Sequence, residues 1–212
     1  IYTRLQDKGE IVSVCFAVSE ASMLEEIASF NPELILCPFL KVYLPSSIYD
    51  NYPTYIFHPG PKGDRGPNAL EYALKSHTKK WGIVVLRANA EYDAGNIYAE
   101  IDFDVRETYK ASLYRQEIVK ASLDALDNLF ESIQSDTSTP QLLNPIHEEF
   151  TQLDRAINWN VDNTQTIIDK IKFSDSAPGV LDEILGVKCY LYGAHKEGKF
   201  NGKPKEIIAK RD

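Results

Sequence analysis

The chain has 212 residues, 43% of them hydrophobic and 25% charged, which is enough for one good core and excludes a disordered polymer. A formal net charge of −8 with a pI near 5.1 speaks against a general nucleic-acid surface, which needs clustered Lys and Arg. Cys15, Cys37 and Cys189 are widely separated and form no Cys-x-x-Cys pair, which fits a reducing, cytoplasmic setting and neither a disulfide framework nor a metal site. No apolar run approaches membrane-spanning length and no signal peptide opens the chain, which begins at Ile1 without a Met, as a fragment or a chain lacking a disordered start would.

Residues 1–8 read as the end of a helix, with Leu5 apolar and Gly9 as its stop. Residues 11–18 are almost wholly apolar, as a strand covered on both faces would be. Ser22 with Glu25 makes a capping box for a helix over 23–30, which Asn31-Pro32 ends. Residues 34–37 form a short buried strand broken by Pro38, and 47–50 a single helical turn. Strand and helix alternating at this spacing predict parallel pairing with right-handed crossovers.

The most informative stretch follows. Tyr55, Ile56 and Phe57 are β-prone and end in His58, after which Pro59, Gly60 and Pro61 can neither continue a strand nor begin a regular helix. His58 is therefore expected at the carboxyl mouth of a strand, where open α/β sheets place ligands. A helix over 68–76 carries Leu70, Ala73 and Leu74 on one face and leads to a strand over 81–86. That strand empties into Asn89-Ala90-Glu91-Tyr92-Asp93-Ala94-Gly95. A His at one strand end and an Asp in the loop after the next would form a carboxylate-oriented imidazole, a common acid/base device.

Ile97, Ala99, Ile101, Phe103 and Val105 alternate with polar residues, as in a half-exposed strand near a sheet edge. Val119, Leu123, Leu126, Phe130 and Ile133 make one apolar helical stripe. Residues 135–150 read as a linker or surface excursion. Asp162 or Asn163 caps a helix with Ile167, Ile168 and Ile171, residues 187–192 form a strand, 196–204 a Gly- and Lys-rich hairpin, and Ile207-Ile208 the start of another strand. The fold class is thus α/β: a Rossmann-like, mainly parallel twisted sheet flanked by helices in residues 1–134, a linker at 135–150, and a partial β-rich subdomain in 151–212.

The run His58-Pro-Gly-Pro-Lys-Gly-Asp-Arg-Gly-Pro with the later Asp93-Ala94-Gly95-Asn96-Ile97 resembles the 10-formyltetrahydrofolate-dependent formyltransferase family, and within it the hydrogenase maturation branch called HypX or HoxX. The resemblance continues through residues 109–116, 155–159 and 177–183, across nearly the whole chain. It implies a formyltransferase domain whose first strand lies upstream, with His58 and Asp93 catalytic. It also implies that Cys37, Pro38, Phe39 and Leu40 line a pterin pocket beside Asn89, Ala90, Glu91 and Tyr92, with 10-formyltetrahydrofolate as donor. Coenzyme A is the implied acceptor, and a downstream enoyl-CoA hydratase-like domain is implied to receive the formyl-CoA and release CO for a [NiFe] centre. An amino-sugar nucleotide or methionyl-tRNA acceptor, or a folate-binding module without activity, stands as the alternative.

Formyl transfer makes a tetrahedral oxyanion and requires the leaving nitrogen to be protonated, so the site needs hydrogen-bond donors and a proton carrier. His58 suits either need, and Asp93 would fix its tautomer. Arg65 is the expected anion ligand in the first loop, or else an ion-pair partner of Asp64. His77, His147 and His195 lie in polar, exposed-looking segments, and Trp159 and Tyr190 read as packing residues. Ile56 stands where most of the family has Asn. Losing one oxyanion donor costs roughly 10²–10³ in rate, with Asn89, Asn96 and the Gly60 amide as stand-ins; the resemblance implies that an apolar residue here is the habit of the HypX branch.

Overall fold

A computed structural model describes residues 1–198 and 201–209. Backbone hydrogen bonding builds a four-stranded sheet in the order β1 (Ile35–Pro38), β2 (Thr54–His58), β3 (Lys80–Arg87), β4 (Ile97–Asp104). Around it run α1 (Tyr2–Asp7), α2 (Glu20–Phe30), α3 (Ser46–Tyr49), α4 (Ala69–Lys75), α5 (Lys110–Leu113) and α6 (Val119–Gln134), with a π-turn at Tyr114–Ile118 between the last two. Beyond them lie α7 (Gln152–Arg155), α8 (Thr164–Ser174) and an antiparallel hairpin of β5 (Val180–Ile184) and β6 (Val187–Leu191). This is the expected α/β class, a central sheet flanked by helices.

The pairing differs from the mainly parallel expectation. β1 and β2 are parallel, whereas β2–β3 and β3–β4 are antiparallel. A parallel crossover must carry the chain back along the sheet. α4 has seven residues, about 10 Å at 1.5 Å per residue, and residues 59–68 are spent around His58. The chain therefore re-enters at the His58 end: His58 pairs with Val84, in the middle of β3.

Both sheet faces are covered, so β3 alternates between two cores. Ile83 and Val85 join Phe57, Leu70, Leu113, Ile118 and Leu126 under α4 to α6, while Val84 and Leu86 face Ile56 and Ile97 on the other side. Ile56 also reaches the cluster of Met23, Ile27, Cys37, Leu44 and Ile48 beneath α2 and α3. The stripe of α6 is rotated from the expected one. Ala121, Ser122, Ala125, Leu126 and Leu129 are buried, whereas Val119 is 45% exposed. Small residues let this helix approach the sheet closely, a signal that a search for large apolar side chains passes over.

Three further expectations are corrected. Residues 11–18 form no strand, and Ile11, Val14, Phe16 and Val18 are exposed, because no described strand lies alongside to complete a hydrogen-bond ladder. The cap of α2 is Ser19, whose hydroxyl accepts from Ser22 N and whose own amide is bonded by Ser22 Oγ, so the helix starts three residues earlier than the Ser22–Glu25 pattern predicts. Ile207 and Ile208 are exposed and irregular. The hairpin expected at 196–204 falls partly outside the described residues, and its described part holds no strand. β5 was not foreseen; its pairing with β6 supplies the order that Val180–Ile184 lacks as an isolated segment.

Leu126→Ala, at a side chain with 0% exposure, lowers the urea-unfolding free energy by about 2–5 kcal/mol. Val119→Ala changes it by about 0.5 kcal/mol or less.

Candidate active site

The end of β2 delivers His58 into a cage formed by three loops. The first is 59–68. Trp81 Nε1 donates to Pro59 O at 2.9 Å and Asp64 N to Pro61 O at 2.9 Å, so the Pro-Gly segment turns back on itself. The turn brings Asp64 Oδ1 to 2.7 Å from His58 Nε2. Gly60 makes this approach possible, since a Cβ there would overlap the Asp64 carboxylate and lie 2.6 Å from His58 Nε2. Gly63 and Gly66 hold φ of +93° and +94°, a left-handed backbone that glycine adopts without strain.

The second loop follows β3. It folds back so tightly that a Cβ on Gly95 would collide with the Arg87 carbonyl. Asp93, itself at φ 48°, accepts from Gly66 N at 2.9 Å through Oδ2. The same oxygen lies 3.4 Å from His58 Nδ1. His58 is 5% exposed and has a carboxylate facing each ring nitrogen. A carboxylate only accepts, so each of these contacts, where it is a hydrogen bond, takes an N–H from the ring. The Asp64 contact is the tight one. The Asp93 contact is longer than an ordinary hydrogen bond and is the easier of the two to open.

The third segment is 138–150, expected as a linker or surface excursion. Ile97 and Thr139 exchange backbone hydrogen bonds of 2.7 and 2.8 Å, which starts it against the sheet edge. Gln141 Oε1 accepts from Gly63 N at 2.9 Å and its Nε2 donates to Asp93 O at 3.2 Å, joining the other two loops. His147 N donates to Arg65 O at 2.8 Å, and its Nε2 lies 2.8 Å from Asp64 Oδ2. The imidazole stacks on Tyr72 at 4.0 Å. Asp64 and His147 escaped the sequence reading as site residues, the former weighed only as a partner for Arg65 and the latter as an exposed histidine.

Arg65, the expected anion ligand, is buried and turned inward. Nε donates to Tyr92 O at 2.9 Å, Nη1 to Asn144 O at 3.2 Å and Nη2 to Glu91 Oε2 at 3.3 Å. It is a strut joining all three loops and makes no pair with Asp64. Phe39 N donates to Phe57 O at 3.3 Å, which sets Cys37, Pro38, Phe39 and Leu40 along the same sheet end as His58. The Phe39 ring meets Tyr114 edge-on at 6.1 Å. Cys37 instead packs among Met23, Ile27 and Ile48, where burial pushes its thiol up to about 12, so it stays neutral and unreactive at physiological pH. Asn89, Ala90, Glu91 and Tyr92 form an exposed rim, with the Tyr92 ring 5.5 Å from Tyr43. Of the suggested replacements for the missing Asn, Asn89 accepts from Glu91 N at 3.0 Å and Asn96 reaches Ser138 at 3.4 Å, both exposed.

In the folded chain Cys37 resists iodoacetamide at pH 8 while exposed Cys15 reacts, as peptide mapping after alkylation would show. Gly60→Ala forces His58 and Asp64 apart. It lowers the unfolding free energy by about 1–3 kcal/mol, the cost of overpacking, measurable by chemical denaturation.

No protein-family model matches the chain. The hydrogenase maturation factor HoxX of Bradyrhizobium diazoefficiens is 32% identical over 99% of the chain and 38% of its own length. The crystal structure of HypX from Aquifex aeolicus in complex with tetrahydrofolic acid superposes with a TM-score of 0.93 at 36% identity, covering 98% of this chain and 37% of that one. A methionyl-tRNA formyltransferase of Thermotoga neapolitana is 25% identical over 89% of the chain and 62% of its own length. The chain thus spans less than two fifths of the length of the HypX and HoxX proteins it matches.

Proposed function

From the premise that this chain belongs to the formyltransferase superfamily, as a homologue of the HypX/HoxX hydrogenase maturation factors along its whole length, we propose that it carries formyl transfer from 10-formyltetrahydrofolate, with coenzyme A thiol as acceptor. The observation that carries this reading is His58 at the end of β2, buried and flanked by Asp64 and Asp93, at the sheet end where Phe39 N bonds Phe57 O.

The residues present suit a folate donor. Residues 37–40, at the His58 end of the sheet, would offer its ring apolar side chains, and the rim Asn89 to Tyr92 would offer backbone and side-chain polar groups. The donor, when bound, supplies the carbon to be transferred. His58 carries the proton at Nδ1, where the 3.4 Å contact to Asp93 opens more readily than the 2.7 Å contact to Asp64. Asp64 holds the ring plane and the Nε2 proton. Asp93, anchored by Gly66 N, keeps Nδ1 protonated until that proton is needed. Ile56 lies on the same strand face as His58, two residues back, and gives an apolar lining in place of an amide donor. The Gly60 amide, beside His58, makes no hydrogen bond among the described residues and is our candidate for the missing oxyanion donor. Arg65 acts as the strut that sets the distance between His58 and Asp93, not as an anion ligand.

The thiol acceptor and the onward supply of a CO ligand rest on kinship with HypX and HoxX. The coverage of those proteins, under two fifths, leaves room for the hydratase-like domain that would consume a formyl thioester. We place the catalytic unit in residues 1–134, extended by the segment at 135–150, and the protein in the cytoplasm. No helix among the described residues is long and apolar enough to cross a membrane.

The test follows tetrahydrofolate release spectrophotometrically from 10-formyltetrahydrofolate, with and without coenzyme A. Release should depend on coenzyme A and fall by about 10²–10⁴-fold in His58→Ala and in Asp93→Ala. Release that ignores coenzyme A but requires an amine would move the assignment to an N-formyltransferase. Folate binding without release would leave a binding module.

A further inference from the structure

Asp64 has two oxygens and both are taken, one by His58 Nε2 at 2.7 Å and one by His147 Nε2 at 2.8 Å. The two imidazoles differ in access. His58 is 5% exposed, whereas the His147 side chain is 29% exposed and lines a groove of about 720 Å³ between residues 61–64 and 144–148. His147 Nδ1 makes no hydrogen bond among the described residues, while Nε2 is held by the carboxylate.

We propose that His147 is a positioning residue for the reaction: it acts on His58 through Asp64, fixing the carboxylate that holds the His58 ring and transmitting its own charge to it. The proposal rests on the reading of His58 as the proton carrier. With His147 neutral, Asp64 bears its full charge toward His58. With His147 protonated, that charge is shared between two cations and its hold on the His58 proton weakens. Tyr114 of the π-turn lies within electrostatic reach of Asp64. Asp93 faces His58 from the second loop. Around His147 stand Asp64, the Tyr72 ring stacked on it from α4, Glu148 beside it in sequence, and Lys62 across the groove. Stacking on Tyr72 and the bond from His147 N to Arg65 O fix the ring's place, so its effect is directional. A purely structural clamp would serve equally well with an amide in place of the imidazole, and this separates the two roles.

The experiment uses the intact protein and two readouts. The first is the pH–rate profile of tetrahydrofolate release from pH 5.5 to 9 for wild type, His147→Gln and His147→Ala. Gln keeps a donor to Asp64 but cannot charge. It should abolish one limb of the profile or move it by at least half a pH unit, with the limiting rate within about threefold of wild type. Ala removes the donor and should lower the limiting rate about tenfold, with Gln recovering most of that loss. The second readout is the ring signals of His58 in ¹⁵N-histidine-labelled protein, which should titrate over a different pH range in His147→Gln than in wild type. Profiles and titrations that superimpose in wild type and His147→Gln would overturn the proposal. Wild type that releases no tetrahydrofolate under any condition would sink the transferase reading, and the His58 titration would still decide whether His147 is coupled to it.

Discussion

The site is arranged around a carboxylate that has almost no water to turn to. Burying Asp64 would be costly for an isolated charge, and the chain meets that cost with two imidazoles placed on its two oxygens. Much of the local backbone serves this arrangement. Gly60 carries no side chain because Asp64 and His58 occupy its space, and Gly63 and Gly66 adopt left-handed conformations that let 59–68 wrap under the histidine. The strand end, the turn and the strap formed by the distant segment 138–150 are consequences of placing one charge.

Arg65 complements this at the next layer. A guanidinium has five donors in a fixed plane, and here they are directed to Tyr92 O, Asn144 O and Glu91. A lysine could neutralise Glu91 but could not hold two carbonyls in separate loops at set angles. The cation that sequence reasoning offers to a substrate is used instead to hold three loops together. The groove side of the site is then left with Lys62 and His147 as its basic groups among the lining residues.

The fold was legible where local chemistry decides it. A β-prone run ending in His58-Pro59 could hardly be anything but a strand end, and Asn163, Gly9 and Asn31 do mark the ends of their helices. Legibility failed where the answer depends on a neighbour. Residues 11–18 have the composition of a strand but no described ladder partner, and β5 becomes a strand only through β6. The pairing sense of β2 and β3 depended on how much chain the site would consume. In the site, His58 and Asp93 could be named because one ends a strand and the other lies in the loop that follows the next strand. Asp64 was hidden by its neighbour Arg65, the more obvious partner. His147 lies in an irregular segment, 83 residues from Asp64 in sequence, and no periodicity links the two.

That separation has a bearing on how the protein is made. The contacts closing the strap, Gln141 to Gly63, Arg65 to Asn144 and Asp64 to His147, join positions 78, 79 and 83 residues apart. Each closes a loop through β3, β4 and α6, so these contacts pay the entropy of ordering that whole excursion before they return anything. Local pieces such as the β3–β4 ladder, whose strands are adjacent in the chain, are free to form first. The nascent chain therefore has its sheet before it has its histidine–carboxylate cage. The cage around His58 is completed only after residues 138–150 have been synthesised and have found their way back.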